Sequence, residues 1–296
     1  MNNQQLAILL VFSVTSLSAQ NFKPRPLVPI SGHYKTLAQT DAQPQSNSAI
    51  DRRHFPLDSL PDSYAKRLKM TPEYLTLPPS VFEIGEFPAN SSAQTRTELD
   101  FLLKLQAEAR TPEKLDESLS FANVYYNNDT KPGDADYEVM QKNLFHIGRQ
   151  INGFNAQQLP LTAVMMRRVW KDASYYFWAL KFKYNRARPY QLDYQLKNVT
   201  DPFFQAYPSG HSSSSDVAAY IFQELLPEKT ELFVKNAYDM AYSRELLGVH
   251  FPSDSEAGRK FARQFVNELL KNKEFQADLM AAKKEVERLK TQQVSK

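Results

Sequence analysis

Apolar residues recur at helical spacing along most of this chain, and that period limits its fold more than any other feature. Leu161 to Tyr184 reads as one long helix, mixing Val164, Met165, Val169, Phe177 and Leu180 with Arg167, Arg168, Lys171 and Asp172. Those charges argue against a membrane span. Ser92 to Ala109 gathers Leu99, Leu102, Leu103 and Leu105 on one face. Ser212 to Leu226, Glu231 to Leu247 and Ser253 to Leu270 continue the pattern, and in the last of these Phe261, Phe265 and Leu269 repeat every fourth residue. β-type alternation is scarce and no internal repeat is present. The expectation is an all-α fold, a compact helix bundle. A chain of 296 residues, 42% hydrophobic, can supply one sizeable core.

The ends read differently. MNNQQLAILLVFSVTSLSAQ carries a short apolar run from Leu6 to Val14, followed by small residues at Ser16, Ser18 and Ala19. This predicts a signal peptide over residues 1–19 and a periplasmic or secreted protein, although MNNQQ lacks the usual basic residue. The other reading is a buried N-terminal helix; the run is too short to span a membrane. Residues 20–67, rich in Pro, Gln, Asn and Ser, read as a mobile extension. The domain proper is expected over residues 68–275, with a charged helical tail over 276–296. NNDTKPGDAD, Asn127 to Asp136, lacks the ligand spacing of a calcium loop and reads as a surface turn.

The absence of cysteine excludes disulfides and thiolate-ligated metals. A net charge of +3 without a dense basic stripe argues against nucleic acid and suits a small anionic substrate.

Three polar clusters carry the chemistry. In KFKYNRARP, Lys181 and Arg188 lie seven residues apart, nearly one above the other if the helix continues, and Pro189 ends it at Arg188. Such a pair can clamp an oxyanion, or it can simply complement the helix C-terminus. In AYPSGHSSSSD, Pro208 and Gly210 shape a tight loop before a helix starting near Ser212. Its free N–H groups, the Ser209 hydroxyl and the titratable His211 form an anion site, or else Ser212 or Ser213 merely caps the helix. In SRELLGVHFPSD, Gly248 breaks a helix and SDSE (Ser253 to Glu256) reads as a capping box opening the next. His250 then sits in the bend, and Asp254 can take one imidazole proton and leave the other nitrogen as a lone pair.

Taken together, K-x6-R-P, P-S-G-H and S-R-x5-H-x3-D resemble the motif set of the type 2 phosphatidic acid phosphatase superfamily, which also includes vanadium haloperoxidases. Every specified position is met: Lys181, Arg188, Pro189, Pro208, Ser209, Gly210, His211, Ser243, Arg244, His250 and Asp254. Within it, YLTLPPSV near Tyr74, the Y-x-R-x-RP form at Tyr184 to Pro189, and GVHFPSDSEAGR at Gly248 to Arg259 are most similar to bacterial class A non-specific acid phosphatases. The resemblance covers roughly residues 68–285. It implies the helix bundle of that superfamily and hydrolysis of phosphomonoesters through a phosphohistidine, with no metal and no cofactor. His250, held by Asp254, is then the nucleophile and His211 the acid and base. Lys181, Arg188, Ser209, Gly210 and Arg244 bind phosphate. The partners implied are phosphorylated small molecules, with homo-oligomers left open. A vanadium-dependent haloperoxidase, a soluble lipid phosphatase and a catalytically silent phosphate-binding module are the alternatives.

Overall fold

The structure, a computed structural model, describes residues 23–45, 48–61, 64, 67 and 69–294. The signal-peptide expectation for residues 1–19 falls outside these. Among the described residues there is no named strand, only an isolated bridge between His54 and Arg186. The helices are α1 (Gly32–Leu37), α2 (Ala93–Glu108), α3 (Pro112–Ala122), α4 (Tyr137–Leu144), α5 (Pro160–Tyr184), α6 (Pro189–Leu192), α7 (Gly210–Leu225), α8 (Thr230–Leu246), α9 (Pro252–Leu269) and α10 (Lys273–Val294), together with one short turn of helix at Ser48–Asp51 and several of 3-10 helix.

Helix α7 occupies the centre, touched by α5, α8, α9 and α10. Its sequence explains the position: Val217, Ala218, Ala219, Tyr220, Ile221 and Phe222 are all buried, so no face is left for water. Helix α9 presents Phe261, Phe265 and Leu269, each fully buried, as the four-residue repeat requires. Each such side chain contributes roughly 1.5–3 kcal/mol of burial. Gly258 permits the close crossing of α9 and α7, since a Cβ there would stand 2.9 Å from the Ser209 carbonyl oxygen and from the Ser213 nitrogen.

The helix starts are capped. Ser92 accepts from the Thr95 N–H at 3.1 Å. Ser209, one turn earlier than expected, caps α7, which begins at Gly210 rather than Ser212. Helix α9 starts at Pro252, and Asp254 rather than the Ser253–Glu256 pair closes its first turn by accepting from the Phe251 N–H at 2.9 Å.

Two segments expected to stand apart are built into the domain. In the Pro- and Gln-rich stretch, the Val28 N–H donates to Tyr220 Oη at 3.0 Å and the Ser31 N–H to Glu256 Oε1 at 3.0 Å. Arg25 pairs with Glu224, His33 pairs with Glu245, and Phe55 and Tyr64 are buried. The described part of this stretch is therefore packed, not a free extension: its few apolar and charged residues find partners that composition alone does not reveal. Helix α10 likewise buries Phe275, Leu279, Ala282 and Val286, and Glu285 accepts from the N–H groups of Leu161 and Thr162 at the start of α5.

Candidate active site

Helix α5 stops at Tyr184 because Asn185 adopts a left-handed conformation, φ 47°, with its N–H returning to the Lys181 carbonyl. The helix does not run on to Arg188, so Lys181 and Arg188 do not share a helical face. Arg188 instead sits on extended backbone, φ −76° and ψ 155°, as the following proline demands. It is aimed back at the site from the start of α6.

All the predicted residues converge. Lys181, Arg188, Arg244 and His211 each act electrostatically on His250, which is 2% exposed. The Ser209 N–H donates to the Asp254 carbonyl at 2.9 Å, tying the starts of α7 and α9 together. Lys181 Nζ donates to the carbonyls of Gln205 at 2.8 Å and Ala206 at 3.2 Å. Arg188 Nε donates to the Phe204 carbonyl at 2.8 Å, and Nη1 donates to the Val249 carbonyl at 2.6 Å. Ser209 Oγ accepts from the Ser212 N–H at 3.3 Å. Capping therefore occupies an acceptor lone pair of Ser209 and not its proton, so the cap and anion-binding readings are compatible. Gly210 is packed as well as permissive: a Cβ there would meet Phe177 at 3.3 Å.

His250 Nδ1 lies 3.0 Å from Asp254 Oδ2, and Nε2 lies 3.0 Å from Arg188 Nη1. A guanidinium can only donate, so Nε2 carries the lone pair and Nδ1 the proton. His211 Nε2 lies 3.1 Å from the Ala122 carbonyl at the end of α3. A carbonyl only accepts, so this nitrogen donates and Nδ1 is the site at which protons come and go.

The cations are expensive where they stand. Burial pushes Lys181 well below its ordinary value, and Arg188 adds to the effect. Arg244 is pushed down to about 9 by burial and then by Arg188, and Arg188 to about 10 mainly by burial. Arg188 Nη2 and Arg244 Nε and Nη1 are buried with no hydrogen-bond partner among the described residues. Unpaired buried donors cost about 1–3 kcal/mol or more apiece, a cost that an anion would offset. A nucleophile and an acid need opposite protonation states, the first neutral and the second protonated. Instead both histidines are held well below the usual imidazole range by burial, reinforced first by Arg244 at His211 and first by Arg188 at His250.

Sequence reasoning missed three residues that the structure places behind Asp254: Glu98, Arg186 and Ser253. Arg186 Nη1 donates to Asp254 Oδ1 and to Ser253 Oγ, both at 2.7 Å. The signal was present in the alternation of Arg186 and Arg188 about Ala187. It becomes readable only once α5 ends at Tyr184 and the chain is extended, because residues two apart then face the same way.

The sequence pattern of the PAP2 superfamily matches residues 171–270. The non-specific acid phosphatase of Providencia stuartii is 38% identical over 85 residues, 29% of this chain and 34% of that protein. The non-specific acid phosphatase of Salmonella typhi is 28% identical over 137 residues, 44% of this chain and 55% of that protein. The chain thus spans between about a third and about half the length of these relatives. A bacterial vanadium-dependent chloroperoxidase in its apo form superposes with a TM-score of 0.49 at 14% identity, covering 75% of this chain and 56% of that one. Residues 171–270, which hold every predicted site residue from Lys181 to Asp254, match the PAP2 superfamily pattern, and over part of its length the chain is similar to non-specific acid phosphatases.

Proposed function

We propose that the protein is a phosphomonoester hydrolase working through a phosphohistidine, without a metal ion, and acting outside the cytoplasm. The observation that carries this reading is the set of unpartnered guanidinium nitrogens on Arg188 and Arg244 beside the lone pair of His250 Nε2. Buried donors around a neutral nucleophile suit a dianionic group whose central atom accepts attack.

In the first step the Nε2 lone pair forms a bond to phosphorus while the P–O ester bond breaks. The leaving oxygen takes that electron pair and a proton from His211 Nδ1. The charge gained by the His250 ring is offset by Asp254. In the second step His211 Nδ1 takes a proton from water, the water oxygen bonds to phosphorus, and the P–N electron pair returns to Nε2. Lys181, Arg188, Arg244, the Ser209 hydroxyl and the free N–H groups of α7 hold the phosphoryl oxygens. A bound dianion also offsets the cations that add to burial in holding His211 down, so substrate itself favours the protonated acid. Acid operation follows from that coupling.

The test is release of p-nitrophenol from p-nitrophenyl phosphate at acid pH with excess EDTA. Sustained turnover is expected. Loss of turnover that magnesium or zinc restores would overturn the metal-free mechanism. Bromide oxidation by the vanadate-loaded protein faster than ester hydrolysis would favour the haloperoxidase alternative.

A further inference from the structure

Asp254 has no exposed surface, and its two carboxylate oxygens are divided. Oδ2 accepts from His250 Nδ1 at 3.0 Å and from the Phe251 N–H at 2.9 Å. Oδ1, which His250 does not use, accepts from Arg186 Nη1 at 2.7 Å. Arg186 is fully buried, with its guanidinium carbon 3.9 Å from the centre of the Phe251 ring and 5.0 Å from that of Phe87. Beyond it stands Glu98 of α2, also fully buried, with Oε2 3.6 Å from Arg186 Nη2. Ser253 closes the ring: its hydroxyl accepts from Arg186 Nη1 and donates to Glu98 Oε2 at 2.7 Å, and its N–H donates to Glu98 Oε1 at 3.2 Å.

We propose that Arg186, backed by Glu98 through Ser253, is a positioning residue that holds Asp254 in place through Oδ1, and through it fixes His250 as the Nδ1–H tautomer. The role in turnover rests on the phosphatase reading above; the tautomer does not.

The physical case is one of charge in a dry place. A buried carboxylate with one oxygen unpaired is costly, and a 2.7 Å bond from a guanidinium is among the stronger contacts that can offset this. Arg186 in turn needs its own counter-charge, and two carboxylates flank it. Glu98 is pushed up to about 7, chiefly by burial, with the charge of Asp254 adding and that of Arg186 opposing. Burial thus favours the neutral form of Glu98, while Arg186 keeps its 2.7 Å bond to Asp254. Other charges also face Asp254: His250 on its own bend, Lys181 from α5, Arg188 ahead of α6 and Tyr207 from the loop before α7. Among the described residues Arg186 is the cationic side chain bonded to it, so its removal is the informative change.

The experiment compares Arg186→Gln and Arg186→Lys with wild type in three readouts. These are kcat and KM on p-nitrophenyl phosphate from pH 4 to 8, the melting temperature, and the 15N spectrum of the His250 ring in the resting protein. For Arg186→Gln a kcat loss on the order of 10–100-fold is expected with KM changed by less than about threefold, as for other groups that act through a catalytic neighbour. The Nδ1–H signature should weaken. Arg186→Lys, which keeps the charge and loses the fork, should recover part of each. An unchanged ring spectrum in Arg186→Gln would overturn the proposal, whatever the loss of rate. Should that variant fail to fold, Arg186→Lys decides: wild-type kcat, profile and ring spectrum there would overturn it equally. The ring spectrum needs no turnover, so a wild type inactive on phosphomonoesters would sink the phosphatase reading and leave this one still measurable.

Discussion

Arg188 Nη1 stands 3.0 Å from His250 Nε2 and donates into the lone pair that would attack phosphorus. On the proposed reading this contact masks the nucleophile in the resting site, and an entering phosphoryl group would draw Arg188 to its own oxygens and release the lone pair, so that substrate binding and exposure of the nucleophile would be one event.

The first prediction follows from that contact. His250→Ala should abolish turnover, with kcat falling by at least about 10⁴-fold. The fold should persist, because Asp254 Oδ2 keeps the Phe251 N–H and Oδ1 keeps Arg186. Rapid-quench labelling of the wild type with 32P-substrate should place acid-labile phosphate on a histidine. Label on a serine, or a variant with residual burst, would remove His250 from the nucleophile's role.

A second prediction concerns the unpartnered guanidinium nitrogens of Arg244. Inorganic phosphate and orthovanadate should both raise the melting temperature of the wild type, since each can pair donors that have no partner among the described residues. Vanadate should inhibit competitively and more tightly, because it can adopt five-coordinate geometry. Arg244→Ala should melt no lower than wild type when ligand-free, because a desolvated cation has been removed, and should lose most of the shift by phosphate. A variant that melts much lower without ligand yet keeps the full shift would show that Arg244 serves the fold.

How much of this was legible in the sequence depends on whether a feature is local. The helices of the core were readable because Phe261, Phe265 and Leu269, or Leu99 and Leu102, declare their face by spacing alone. The site residues were readable as a set because three motifs each place a charge beside a helix end. The geometry linking them was not. The end of α5 at Tyr184 depends on Asn185 entering the left-handed region, which an asparagine tolerates but does not announce. Glu98 could not be assigned at all, since it meets Ser253 and Arg186 across a long stretch of chain. The packing of the Pro-rich segment was hidden for the same reason: His33 looks solvated until α8 brings Glu245 to it.

The third prediction tests that packing. His33 is raised above its ordinary 6.5; burial opposes the change, and the bond to Glu245 and its charge more than offset it. For a histidine raised in the folded state, the stabilisation is fully present below 6.5 and is lost as pH rises through the folded value. His33→Gln should therefore lower the melting temperature at pH 5 and much less at pH 8. Thermal melts at both values check it. An equal deficit at the two pH values would mean that stacking on Phe101, at 4.9 Å between ring centres, carries the contribution and not the charge.

The last prediction separates orientation from binding. Asp254→Asn preserves size but cannot satisfy all its neighbours, because an amide offers one acceptor and one donor end. If the oxygen faces Phe251 and His250, the NH2 group confronts Arg186 Nη1, donor against donor, where a bond of 2.7 Å stood. If the amide flips, its NH2 group faces the Phe251 N–H and drives the His250 proton to Nε2. There it meets Arg188 Nη1 and leaves no lone pair for phosphorus. Either way the reactive tautomer is lost or the charge that stabilises the phosphorylated ring is absent. Loss of kcat on the order of 10²–10⁴ is expected, with KM changed by less than about threefold. Lys181→Ala should behave differently. Its ammonium, buried and bonded to the Gln205 and Ala206 carbonyls, is assigned to the phosphoryl oxygens in the ground state too, so KM should rise along with any fall in kcat. Both variants are measured on one phosphomonoester at one acid pH. If Asp254→Asn acts mainly on KM, Asp254 belongs to the binding shell, and the orientation of His250 must be assigned elsewhere.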